Sequence, residues 1–212
     1  MRDYLLNAVV TLFVTIDPPG LAPLFMVLTA GRSIAERRAV AIRATLIAAV
    51  VLVAFALVGE PLISVLGISL PAFRIAGGLL LFVIAFEMVF GRREERKSET
   101  AQTVVERDDI RNVAVFPLAI PLIAGPGAIS ATILLASQAP DASGTVGLIA
   151  IIVLMIGACL VVFLAADRIE KALGETGRIV VSRLLGLILA ALSVQFVADG
   201  VTAIVKAAAT QA

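Results

Sequence analysis

Two interruptions by proline and glycine hold the residues of this sequence best placed to do chemistry. The first, VTIDPPGLAPLF, sets Asp17 directly ahead of Pro18, Pro19 and Gly20 inside an apolar run; the second, PLIAGPGAIS, sets Gly125, Pro126 and Gly127 inside another. Proline has no backbone N–H to donate and its ring collides with the carbonyl one turn back. Pro18-Pro19-Gly20 with Pro23, and Pro121 with Gly125-Pro126-Gly127, therefore stop a helix rather than bend it. A stopped helix leaves backbone groups without partners. The amides of Gly20, Leu21 and Ala22, and those of Gly127, Ala128, Ile129 and Ser130, open new half-helices whose positive dipole ends suit a carboxylate. The carbonyls of Thr15 and Ile16, and of Ile123 and Ala124, are left facing a cation or an ammonium group. Asp17 adds a formal charge, fit to bind a substrate ammonium, coordinate Na⁺ or carry a proton, and fit also to cap the half-helix that follows. Asn at this position would keep the cap and lose the charge, so the sequence predicts that Asp17→Asn folds normally and loses ion coupling.

The elements that must position these residues are membrane helices. Of 212 residues 60% are hydrophobic and 16% charged, and the mean hydropathy is +1.08. A soluble domain of this length has no way to hide so much apolar surface, so lipid is the expected surrounding. Lys and Arg number 17 against 16 Asp and Glu, which gives no surplus of charge for an acidic partner, and no nucleic-acid partner is expected. With no histidine and one cysteine, Cys159, a disulfide framework and His-based metal or triad sites are excluded. Cys159 reads as a small lipid- or helix-facing residue.

Windows of roughly 20 apolar residues mark six spans, near Tyr4–Thr29, Ala39–Val58, Leu70–Phe90, Val113–Gln138, Thr145–Ala166 and Ile179–Val205. The stretch Leu5 to Ile16 lacks a cleavage signal after it and reads as half a membrane helix, not a leader. The polar run GRREERKSETAQTVVERDDIR, 91–111, reads as a solvated loop dividing the chain into a first three-helix unit, 1–90, and a second, 112–212. Loops after spans one, three and five carry twelve Lys or Arg; the other side, with both termini, carries only Arg2 and Lys206. By the positive-inside rule both termini lie outside.

The two units look duplicated. Pro19 and Gly20 align on Pro126 and Gly127, and Arg74 and Gly77 on Arg183 and Gly186, at offsets of 107 and 109. With three spans per unit the second copy enters from the opposite face. This predicts an all-α polytopic protein of six spans, built as a 3+3 inverted repeat with spans one and four broken, as in many secondary transporters. Asp17 aligns on Ala124, so only the first break is charged. Arg74, Arg183, Gln195 and Asp199 fall near span ends and are candidate gate or cavity residues. Gly77, Gly78, Gly157 and Gly186 are expected to permit close helix packing.

IDPPGLAPLF, FRIAGGLLLF and PLAIPLIAGPGAIS together resemble the MarC family of six-span bacterial inner-membrane proteins, over nearly the whole chain. Family first spans often read Asp-Pro-x-Gly-Asn-x-Pro, and here Leu21 stands for the polar Asn. The resemblance implies a secondary carrier for small neutral amino acids such as glycine or alanine. The contacts expected are Thr15, Asp17, Gly20, Leu21, Ala22, Gly125, Gly127, Ala128, Ile129 and Ser130 for substrate, and Asp17, Ile16 and Ile123 for a coupling ion. The chain has no phosphate-binding loop and no cofactor motif, so the expected driving ion is Na⁺ or H⁺. The rival readings are export of another small metabolite or drug, and a scaffold that transports nothing. An enzyme is not expected, and the sequence sets no oligomeric state.

Overall fold

The structure is a computed structural model, and it describes residues 1–93, 96–97 and 113–211. Among these every regular element is a helix. In order they are α1 (Arg2–Ile16), α2 (Pro18–Leu28), α3 (Ile34–Val65), α4 (Leu70–Val89), a wide π-type coil over Ala114–Ile123, α5 (Pro126–Ala136), α6 (Ala142–Leu164) and α7 (Ala166–Gln211). Four helices, and α1 with α2 together as Arg2–Leu28, each hold a stretch long and apolar enough to cross a membrane. The π-type coil and α5, bent by 55° at their junction, supply a sixth crossing if the pair is one span. This is the all-α polytopic architecture the composition demands.

Short polar side chains cap two of these helices. Ser33 and Glu36 form a reciprocal capping box at the start of α3, and Asp141 accepts from the Gly144 amide at 2.9 Å at the start of α6. Helix α3 runs longer at both ends than its apolar window: the Ser33–Glu36 box starts it at Ile34, and it continues through Glu60 and Pro61 to Val65. Pro23 is a correction: it lies inside α2 without stopping it. The break is therefore made by Asp17 and the Pro18-Pro19 pair, without Pro23.

Span one is the centre of the bundle. Two thirds of its most apolar window (67%) is buried, against 28% in the last span, so the remaining helices pack around it and present their other faces to lipid. Helix α4 lies along α7 more extensively than any other pair of elements. Glycine permits that approach: a side chain at Gly78 would strike the Ser193 carbonyl at 2.9 Å, and one at Gly186 the Ala85 carbonyl at 3.1 Å. Gly157 does not share this role, since nothing lies within 4 Å of its missing side chain. The last helix contains a non-helical residue, Gly174 (φ 58°, ψ 177°), ahead of its membrane-crossing part. At one end of the bundle the loops after spans one and five are tied by Arg37 and Asp167 at 3.3 Å. There Phe25 and Phe163 also stack at 4.6 Å. At the other end Tyr4 Oη donates to the Leu135 carbonyl at 3.0 Å.

Candidate functional site

Both breaks form where the proline pattern puts them. Helix α1 ends at Ile16, Asp17 takes a left-handed conformation (φ 59°, ψ 63°), and Pro18 begins α2. The left-handed region is costly for a residue with a side chain, and aspartate is among the few that visit it because it can bond locally. It does so here: the Gly20 amide donates to Asp17 Oδ1 at 3.2 Å, the cap expected of it. In span four the coil ends at Ile123, Ala124 turns (φ −91°, ψ 63°), and Gly125 precedes Pro126, the first residue of α5. Phe116-Pro117 and Ile120-Pro121 are cis peptides within that coil. Gly125 has no side chain, so α5 starts without the cap that Asp17 gives α2.

The breaks meet in space. A methyl group at Gly127 would collide with Ile84 Cδ1 and touch Thr15 Cγ2, so the start of α5 seats closely against α1 and α4 and an alanine there would require Ile84 to turn aside. Beside this junction is a cavity of about 310 Å³. Its walls are Thr15 from α1; Leu80, Val83 and Ile84 from α4; Pro121, Leu122, Ile123, Gly125, Pro126, Gly127 and Ala128 from the second break; and Arg93, Arg96 and Lys97. Of the residues singled out by sequence, the lining thus includes Thr15, Ile123, Gly125, Gly127 and Ala128. Asp17, Ile16, Gly20, Leu21 and Ala22 are buried behind it, and Ile129 and Ser130 sit further along α5, outside the lining. Arg74, Arg183, Gln195 and Asp199 are likewise outside it. Gln195 and Asp199 bond to each other at 2.7 Å as one face of α7, and Arg183 is exposed.

The three basic residues were not expected here. Positions 94–95 and 98–111 of the charged run lie outside the described residues, but Arg93 and Lys97 are 6% and 8% exposed, not solvated. Lys97 Nζ donates to Asp17 Oδ2 at 3.2 Å. Arg93 donates from one guanidinium nitrogen to the Thr15 carbonyl and from the other to Met88 Sδ at 3.3 Å. Arg96 pairs with Glu87 at 2.7 Å. So the carboxylate and the open carbonyl that the first break presents are met by cations of the same chain. Burial pushes the Lys97 ammonium down to about 8, against the pull of Asp17, and pushes the Arg93 guanidinium below its ordinary value. Two signals in the sequence pointed this way. A carboxylate at mid-membrane needs a partner, and Arg93 and Lys97 are one helical turn apart, just after span three.

Comparison with known proteins places this chain in a family. Residues 2–205 match the model described as MarC family integral membrane protein. A UPF0056 membrane protein of Methanocaldococcus jannaschii is 36% identical over 200 residues, covering 94% of this chain and 96% of its own. The UPF0056 membrane protein YhcE of Escherichia coli is 35% identical over 196 residues, covering 91% and 89%. One from Aquifex aeolicus is 35% identical over 202 residues, covering 94% and 93%. No solved structure matches the chain. A helical bundle with at least five membrane-crossing stretches and a family match along nearly all of its length lead to one assignment: the chain belongs to the MarC family of integral membrane proteins.

Proposed function

We propose that this protein is a secondary carrier for small neutral amino acids, glycine and alanine being the type, which works by alternating access around the two broken spans. The observation that carries the reading is the cavity of about 310 Å³, walled by the main chain of one break and by Thr15 of the other. That volume lies at the small end of ligand pockets, which run from roughly 300 to 1,000 Å³. Unsatisfied backbone inside a bilayer costs several kcal/mol per group, and a chain that only held neighbours together would gain nothing from two such breaks. The substrate carboxylate is assigned to the start of α5, where no side chain caps the helix. Its ammonium is assigned to Asp17, which Lys97 occupies in this conformation. Coupling then follows from competition: a proton or Na⁺ that reaches Asp17 displaces Lys97 from it, and the substrate ammonium takes the carboxylate once that ion has left.

The test is transport by the purified chain in liposomes. Labelled glycine or alanine should exchange across the membrane, and a Na⁺ or H⁺ gradient should drive accumulation. If no neutral amino acid competes for binding or uptake, the assignment of substrate is wrong.

A further inference from the structure

We infer that the cavity at the two breaks is an anion site, in which Arg93 and the first turn of α5 together select a ligand for its carboxylate, with or without an ammonium. The inference rests on reading this cavity as the substrate site, and it assigns Arg93 as the residue that sets charge preference there.

The described part of the cavity wall carries an imbalance of charge. Arg93, Arg96 and Lys97 all contribute to the cavity wall, and among the described residues no Asp or Glu does. Lys97 is matched by Asp17 and Arg96 by Glu87. Arg93 is buried, yet its hydrogen-bond partners are a carbonyl and a thioether, and among the described residues no carboxylate lies within ion-pair distance of it. A buried cation is costly unless an anion pairs with it, and guanidinium remains charged at any physiological pH. Another part of the wall carries the same demand. Gly127 and Ala128 begin α5, where free amides and the helix dipole favour negative charge, and Gly125 provides no side chain to satisfy them. The first break shows what is missing. At α2 the equivalent place is filled by the Asp17 carboxylate, held by the Gly20 amide on one side and by the Lys97 ammonium on the other. At α5 the guanidinium and the amides are present, and the N-cap is Gly125, which has no carboxylate to offer. A ligand carboxylate completes the second set as Asp17 completes the first. Because Lys97 already pairs with Asp17, an ammonium adds less to binding than a carboxylate does.

The experiment is calorimetric titration of the purified full-length chain in lipid nanodiscs, with four probes: glycine, acetate, methylamine and inorganic phosphate. Glycine and acetate are expected to bind and methylamine is not. Arg93→Gln should weaken acetate and glycine by at least tenfold, while Arg93→Lys, which keeps the charge, should recover most of that loss. Binding of methylamine without acetate overturns the anion site, and so does undiminished acetate binding by Arg93→Gln. Binding of phosphate without acetate overturns the choice of carboxylate. If acetate binds and glycine does not, the anion site stands and the amino acid reading of the preceding section falls. Should Arg93→Gln fail to fold, the order of the probes on the unmutated chain still decides the question.

Discussion

Asp17 and Lys97 share one buried ion pair, and that pair changes what a substitution does. Removing one partner of a buried pair leaves the other charge uncompensated, at a cost of about 3–5 kcal/mol. Asp17→Asn is therefore expected to destabilise the fold as well as to lose coupling, contrary to the expectation from the cap alone. The cost should fall at the lower end, about 3 kcal/mol, because an unpaired Lys97 can shed its proton. Thermal unfolding of Asp17→Asn, Lys97→Met and the double variant checks this: the double variant should be closer to the parent than the sum of the singles. Full additivity would mean that the pair is not coupled. A pH dependence accompanies it. The groups acting on Lys97 are Asp17, Arg93 and the Cys159 thiol. With its folded value near 8, below the usual 10.5, Lys97 holds its proton less tightly folded than unfolded. Its charge thus costs stability below pH 8, and stability should rise between about pH 8 and pH 10.5. The rise should be absent in Lys97→Met, and the gap between parent and Asp17→Asn should narrow as the pH rises towards 8, where the unpaired lysine of the variant has already lost its proton.

At the scale of the element, the start of α5 seats closely through Gly127. An added methyl would collide with Ile84 Cδ1, a contact that must be relieved by moving Ile84 or the half-helix. Overpacking of this kind costs typically about 1–3 kcal/mol. Gly127→Ala is expected to lower the unfolding temperature and to weaken ligand binding together, since the same shift moves the amides that face the cavity. Ile84→Ala in the same chain vacates the colliding atoms and should restore much of both. If the double variant recovers stability and not binding, the start of α5 has a role beyond packing. If Gly127→Ala is indistinguishable from the parent in both assays, the seat of α5 is looser than the structure gives.

Across the whole molecule the distribution of Lys and Arg predicts the orientation, with both termini outside. The contact between Arg37 and Asp167 brings two of the three basic loops together at one end, which any correct orientation must keep on one side. Cysteines in place of the exposed residues Ala142 and Val205 should react with an impermeant maleimide on intact cells, and one in place of exposed Arg168 should not. Position 97 is unsuitable as a reporter, because a buried side chain is silent whichever way the protein faces. The reverse labelling pattern would invert the topology and leave the site geometry untouched. The natural Cys159 is buried and gives little background.

Local rules were enough for much of this protein. The helical class follows from apolar length, because a bilayer offers backbone groups no water to bond with. The two breaks follow from proline at positions 18, 19, 121 and 126, and the caps at Ser33, Asp17 and Asp141 follow from short polar side chains ahead of apolar runs. Each of these is a property of a few neighbouring residues. The site was legible only in part, because a cavity wall is drawn from elements distant in sequence. Thr15 and Gly127 belong to one cavity, and Gln195 and Asp199 are excluded from it, through the way α1, α4 and α5 pack. Above all, Arg93 and Lys97 sit in a stretch whose composition favours water. Composition averages over a segment, whereas burial is decided residue by residue, by whether a partner waits inside. For Lys97 that partner is Asp17, 80 positions earlier in the chain, and only the fold brings the two within 3.2 Å.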